Sequence, residues 1–352
     1  MKIGICGYGV IGSGVKKLID EKHQNNEDLE VIKVFDKPFK KDELKELYVN
    51  DYKKITENKD IDIVVEAMGG DKFPYEIIKD ALKNKKHVVT SNKEVVSLHL
   101  DEFNSLAKEN KVYFMFEASV GGGIPIINSL IQNRKVNEIN HIYGILNGTT
   151  NFILTKIEEG LSFDDALKEA QRLGFAEADP TADLEGLDMV RKISILSDIA
   201  YNTFIDVNKV EHRGIKGITK EFIEKANKNG LVLKFICESK IKDNYVSLIV
   251  EPVLFKKDNI ISNTKNEFNC VIFEGKSNDK LAFVGKGAGS LPTASAILSD
   301  IYLIKDNNAN YLDLSKKVVY CEKNDNDYLE LCDDGTFKKA KKENFYARVF
   351  ME

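Results

Sequence analysis

The start of the chain constrains the fold most. Residues 2–6 form a short apolar run that leads straight into Gly7-Tyr8-Gly9-Val10-Ile11-Gly12, a GxGxxG followed by helix-compatible residues. Gly7 allows a tight turn, Gly9 lets a phosphate approach the backbone, and Gly12 lets the helix lie close to the strand. An anion at such a turn meets free N–H groups and the positive end of the helix dipole. A second strand-like run, residues 31–35, ends in Asp36. An acid there can accept hydrogen bonds from the ribose hydroxyls of NAD, whereas Lys37 beside it suits a 2′-phosphate. Asp36 also reads as a turn residue before Pro38, so NAD and NADP both stay open.

The same alternation continues. Residues 61–67 read as a buried strand ending at Met68-Gly69-Gly70, residues 73–85 as a helix, residues 87–90 as a strand, residues 100–110 as a helix and residues 112–117 as a strand. Strands and helices alternating at these lengths predict an α/β protein built on a Rossmann-type, doubly wound parallel sheet. Ligands of such sheets bind beyond the C-terminal strand ends, where Gly69, Gly70, Ser91, Asn92, Lys93 and Glu117 fall. Next comes a glycine loop from Glu117 to Pro125. Its carbonyls could converge on an ion, its N–H groups could face a cofactor, or it could be a plain strand-to-helix turn.

The pattern changes after residue 135. Residues 138–146 alternate as a half-buried strand and end at Asn147-Gly148-Thr149-Thr150-Asn151. Helices are predicted over 152–159 and 163–173, the second closed by Gly174. An acidic run with Glu177, Asp179, Asp183, Glu185 and Asp188 leads to Lys192. Asp188 and Lys192 are four apart and share a helix face. With Leu184, Ile195 and Ile199 they fall within one quarter of the helical wheel, so two charges sit in an apolar arc. Burying a charge is costly unless it is paired, which favours a functional pair over a solvated one. Strand-like runs at 231–241, 245–255 and 269–273 suggest a separate α+β layer. After Lys286-Gly287-Ala288-Gly289 a helix over 292–304 returns to the first domain. The expected organisation is therefore residues 1–135 plus 288–315, residues 136–287, and a polar tail over 316–352.

Composition narrows the partners. The 352 residues carry 30% charged and 43% hydrophobic side chains and a formal net charge of −5. Such a chain gives no electrostatic case for nucleic acid or an anionic membrane. No apolar run approaches the roughly 20 residues that span a bilayer. The five cysteines are scattered without CxxC spacing, so a reducing cytoplasm is expected. Whether Cys321 and Cys332 pair is left open.

These residues resemble homoserine dehydrogenase. The resemblance rests on GYGVIG at 7–12, SNK at 91–93, EASVGGGIP at 117–125, NGTTN at 147–151, LGFAEADPTADLEGLDMVRK at 173–192 and GAGSLPTASA at 287–296. It implies reversible, NAD- or NADP-dependent reduction of L-aspartate 4-semialdehyde to L-homoserine, in threonine, methionine and isoleucine biosynthesis. By motif position, Lys192 would donate the proton and Lys93 would be a second catalytic lysine. Glu177, Asp183, Asp188, Thr149 and Thr150 would bind substrate, the threonines through N–H groups facing its carboxylate. Cofactor contacts would fall on Gly7, Gly9, Val10, Ile11, Gly12, Asp36, Gly69, Gly70, Ser91, Lys93 and Gly289. A structural sodium ion would rest on Glu117, through its carboxyl or carbonyl oxygen, and on the carbonyls of Val120, Gly122 and Ile124. The resemblance also implies a homodimer. Phe175 stands where some members have tyrosine, and the tail is too short for a full ACT regulatory domain.

Overall fold

Strand β1 (Lys2–Cys6) lies inside a six-stranded sheet with β2 (Glu30–Phe35), β3 (Tyr48–Val49), β4 (Ile63–Glu66), β5 (His87–Thr90) and β6 (Phe114–Met115). The order is β3-β2-β1-β4-β5-β6, and every neighbouring pair is parallel. The protein is described by a computed structural model covering residues 1–23, 29–36, 44–321, 328–331, 337–339 and 346–350. Lys37, Pro38 and Cys332 lie outside the described residues.

This sheet belongs to a first unit, Met1–Ile131 with Ala288–Ser315. Its helices are α1 (Val10–His23), α2 (Lys53–Thr56), α3 (Lys72–Lys83), α4 (Lys93–Asn110) and the start of α5 (Ile126–Asn133). All four residues of β4 are buried, as expected of a central strand covered on both faces. Ile3, Ile5, Val34, Ile63, Val65 and Val89 pack with Val15 and Ile19 of α1. Ile297 and Ile301 of the later helix Ser290–Lys305 join the same core, so the chain does return to this unit. The sheet order is that of a dinucleotide-binding Rossmann fold.

Two expectations here need correction. The helix expected over 100–110 begins at Lys93, because Asn92 caps it by accepting from the Glu94 and Val95 N–H groups. The strand expected over 112–117 is only Phe114–Met115, and Glu117–Ser119 form a 3₁₀ turn instead.

The second unit comprises Gln132–Gly287 and Lys316–Glu352. Its strands include β7 (Ile139–Ile145), the short β8 (Glu211–His212), β9 (Leu231–Lys242), β10 (Tyr245–Lys256), β11 (Phe268–Gly275) and β12 (Asp279–Lys286). The main path runs β12-β11-β7-β9-β10, and these neighbours are antiparallel. Described strands from the tail, Val319–Tyr320 and Ala347–Val349, pair in parallel with β10. The helices of this unit are α6 (Gly148–Glu158), α7 (Phe163–Arg172), α8 (Thr181–Leu184), α9 (Leu187–Tyr201), α10 (Lys220–Lys228) and α11 (Ile260–Asn263). Helix α9 packs against β7, β9 and β10.

Helix α9 differs from its expected form. Leu184 ends α8 and does not share a helix with Asp188, because the chain turns at Gly186, with φ +87°. A side chain at Gly186 would strike Phe235 and Val250 at under 3 Å, so the turn lies hard against β9 and β10. Beyond the turn, nearly every residue of α9 is buried rather than one arc of it. Helix α6 also begins earlier than expected, at Gly148, because Asn147 caps it. No described helix is long and apolar enough to cross a membrane.

Candidate active site

In the first unit the glycine turn joins β1 to α1. A Cβ on Gly12 would lie 1.9 Å from the Gly7 carbonyl oxygen, and one on Gly7 would lie 2.6 Å from that of Ala67. Both positions are closed to any side chain. Gly9 is the opposite, with nothing within 4 Å of the same position, so the backbone there is open to an incoming group. Val10 and Ile11 open α1, and Val10 is exposed. Asp36, at the end of β2, accepts from the Tyr8 N–H at 3.0 Å, which fixes its carboxylate beside the glycine turn.

The ends of β4 and β5 are tied together. Buried Glu66 accepts from the Met68 N–H at 2.7 Å and from the Thr90 hydroxyl. Burial pushes its carboxyl up to about 7, against the pull of these donors. Asn92 donates to the Gly70 carbonyl at 2.8 Å while capping α4. Gly69 and Gly70 are therefore held between two strand ends, with open space at both Cβ positions. Ser91 donates its N–H to the Glu66 carbonyl at 3.4 Å. Lys93 is the first residue of α4, where the helix dipole disfavours a cation by roughly 0.3–1 kcal/mol. Helix stability gives no reason for a lysine there.

Glu117 is 2% exposed, and its two carboxylate oxygens accept from the Ile127 and Asn128 N–H groups at 2.8 and 2.7 Å. It thus caps the first turn of α5. Each carboxylate oxygen thus already accepts one backbone N–H. Val120, Gly122 and Ile124 line the same buried loop, and the Ile124 carbonyl accepts from the Ile126 N–H at 2.8 Å. Gly289, with φ +120°, starts the returning helix.

The second unit holds the charged cluster. Lys192 is 8% exposed and Asp188 is 5% exposed. The Lys192 ammonium donates to Asp188 Oδ2 at 2.8 Å and to the Leu146 carbonyl at 2.7 Å. An ammonium has three N–H donors, so one remains for a ligand after these two. Asn147 Nδ2 donates to Asp183 Oδ1 at 2.6 Å and to Asp188 Oδ2 at 2.9 Å. Asn147 Oδ1 accepts from the Thr150 N–H at 2.8 Å and from its hydroxyl at 2.9 Å. Asp183, Asp188, Lys192 and Thr150 are thus brought together around residues 146–147, where β7 ends and α6 begins.

One expected substrate contact comes out differently. The Thr150 N–H is taken by the Asn147 cap and is not the carboxylate donor expected from the sequence. The first-turn amides of Gly148 and Thr149 have no intrahelical acceptor. Thr149 also donates its hydroxyl to the Phe175 carbonyl at 2.6 Å, tying the loop before α8 to the start of α6. Glu177 lies on that loop, exposed and without a side-chain hydrogen bond among the described residues.

Residues 125–302 match the homoserine dehydrogenase family, and residues 7–117 match the homoserine dehydrogenase NAD binding domain. The homoserine dehydrogenase of Methanocaldococcus jannaschii is 41% identical over 333 residues, covering 86% of this chain and 97% of that one. The Bacillus subtilis homoserine dehydrogenase is 38% identical over 317 residues, covering 87% and 73%. The chain belongs to the homoserine dehydrogenase family. It is an NAD(P)-dependent oxidoreductase that interconverts L-aspartate 4-semialdehyde and L-homoserine. Among solved structures, a homoserine dehydrogenase from Thiobacillus denitrificans superposes with a TM-score of 0.84 at 32% identity, covering 91% of this chain and 79% of that one. A hyperthermophilic archaeal homoserine dehydrogenase in complex with NADPH gives 0.77 at 27% identity, covering 88% and 99%.

Asn147, the Leu146 carbonyl, Glu66 and Asn92 are site features that sequence reasoning did not single out by role. The Asn147 cap had a local signal, an asparagine directly before a helix start. Its contacts with Asp183 and Asp188 had none.

Proposed function

We propose that the reaction runs through Lys192 as proton donor, and one observation carries this reading. Two of the three Lys192 N–H groups are fixed by the Leu146 carbonyl and Asp188, which leaves the third with a defined direction. In the reducing direction that N–H protonates the oxygen that forms at the former aldehyde carbon. In the oxidising direction the neutral amine takes the proton back. Burial strengthens each of these contacts because little water competes. Asp183 and Glu177 receive the substrate ammonium, and the Gly148 and Thr149 amides face its carboxylate. Asp188 holds the lysine and completes the acidic side of the site. Lys93 serves as the second catalytic lysine.

The bound dinucleotide supplies or accepts hydride. The residues present fit it, since Gly9 is open where Gly7 and Gly12 are closed, and Asp36 is fixed beside the turn. Gly7, Gly9, Val10, Ile11 and Gly12 would hold its phosphates, and Asp36 its adenosine ribose. Gly69, Gly70, Ser91, Lys93 and Gly289 would complete the first unit's contacts.

A sodium ion on the carbonyls of Glu117, Val120, Gly122 and Ile124 is part of the same reading, supported by the buried glycine loop that presents them. Homodimerisation is supported by apolar side chains exposed on the second unit's strands, Tyr245 and Val284 being 57% and 53% exposed. A cytoplasmic place in threonine, methionine and isoleucine biosynthesis agrees with the cysteine pattern and the family. The test is turnover with homoserine, and separately with aspartate, using NAD and NADP in turn. Homoserine oxidation without aspartate oxidation is expected. Cofactor binding without turnover of either substrate would leave only a dinucleotide sensor.

A further inference from the structure

The assigned charges leave one problem unsolved. Asp183 and Asp188 direct carboxylate oxygens at the same point, 2.6 and 2.9 Å from a single nitrogen. Two like charges so close repel, and each would rotate away or take up a proton unless a donor lay between them. Asn147 Nδ2 is that donor, and its two hydrogens match the two acceptors.

We propose that Asn147 is a positioning residue that sets the acid–base geometry of this site. The inference rests on the reading of Lys192 as proton donor. Asp188 Oδ2 is shared by Lys192 and Asn147, so the amide fixes the oxygen that in turn fixes the ammonium. The neighbouring Leu146 carbonyl holds the same ammonium from the backbone side. Residues 146–147 therefore define Lys192 at both of its fixed contacts. The amide is itself immobilised, because its oxygen caps α6 through the Thr150 N–H and also accepts from the Thr150 hydroxyl. One planar group thus couples the start of α6, the end of α8 and the first turn of α9. The buried Cys237 thiol of β9 also faces Lys192 and Asp188, and burial pushes it up, toward the neutral form.

Capping and clamping can be separated. Serine and aspartate cap helices about as well as asparagine, but neither offers an NH₂ group. Asn147→Ser and Asn147→Asp should therefore keep the helix start and lose the clamp. The thermal midpoint of Asn147→Ser should stay within a few degrees of the parent, since cap strength changes by only a few tenths of a kcal/mol. Its kcat/KM for homoserine should fall about 10²-fold, as misplacement of a reacting group does, while KM for the cofactor stays within about twofold. Asn147→Asp keeps the side-chain volume, adds a third carboxylate and should fall further. In the Lys192→Ala background, Asn147→Ser should cost less than about threefold more, because residues that act as a unit are not additive.

Homoserine kcat/KM within about threefold of the parent in Asn147→Ser, beside an inactive Lys192→Ala, would overturn the clamp and leave the proton-donor reading standing. Full additivity of the two substitutions would overturn it equally. Parental turnover in Lys192→Ala would remove the underlying reading as well.

Discussion

Lys192 is buried, and its contacts give its donors a fixed direction. Asp188 and the Leu146 carbonyl take two of its donors, and the rigid start of α6 holds both acceptors. Asp36 makes a comparable case in the first unit. Its carboxylate is fixed by the Tyr8 N–H beside the glycine turn, where it would accept from a ribose and repel a 2′-phosphate. Asp36→Ser should therefore lower the NAD-to-NADP ratio of kcat/KM values by about tenfold or more, if one charge contact of about 1.4 kcal/mol is lost. An unchanged ratio measured with both cofactors would remove Asp36 from the ribose site. Local spacing made much of this legible in the sequence. The glycine turn and the Asp188–Lys192 pair each lie within a few residues. The Asn147 contacts join positions 36 and 41 residues apart, and no pattern along the chain announces such pairs.

At the scale of elements, the ends of β4 and β5 are joined by Glu66, Thr90 and Asn92. Asn92→Ala removes both the α4 cap and the hydrogen bond to Gly70. It should destabilise the protein by about 1–2 kcal/mol and weaken cofactor binding, as seen by denaturant titration and by cofactor fluorescence. Glu66 gives a pH signature. Burial raises its carboxyl from an ordinary 4.5 to about 7 in the folded state. Between those values the folded protein holds more protons than the unfolded chain, so stability falls as pH rises. The contribution of Glu66 is fully present below about pH 4.5 and lost as pH passes about 7. Glu66→Gln should show a shallower decline of the thermal midpoint across that window, and an unchanged slope would show that Glu66 is already ionised. Element boundaries were harder to read than element types. Helices α4 and α6 begin earlier than their apolar periods suggest, because Asn92 and Asn147 cap them at Lys93 and Gly148. Strand β12 alternates between exposed and half-buried positions, which leaves only a faint apolar period.

At the scale of the whole molecule, the α/β architecture, the parallel sheet and the second α+β layer were all legible, since alternation of strand and helix is a strong signal. The buried character of α9 was less so. Its sequence suggests one apolar arc, but packing against β7, β9 and β10 also buries Ser194, Ser197 and Asp198. Those polar side chains find partners inside, as Asp198 does in accepting from the Ile205 N–H at 2.6 Å. Such pairings depend on tertiary neighbours rather than on helical period. The proposed acid–base site therefore rests on a helix that the fold encloses, and loss of Lys192 function should be separable from loss of fold. The most direct measurement is homoserine oxidation by Lys192→Ala beside the parent, at matched cofactor saturation and with the thermal midpoint of each recorded. A fall in kcat of about 10²–10⁴-fold with cofactor binding intact is predicted, the range expected when a general acid is removed. Parental kcat in a folded Lys192→Ala protein would contradict the account.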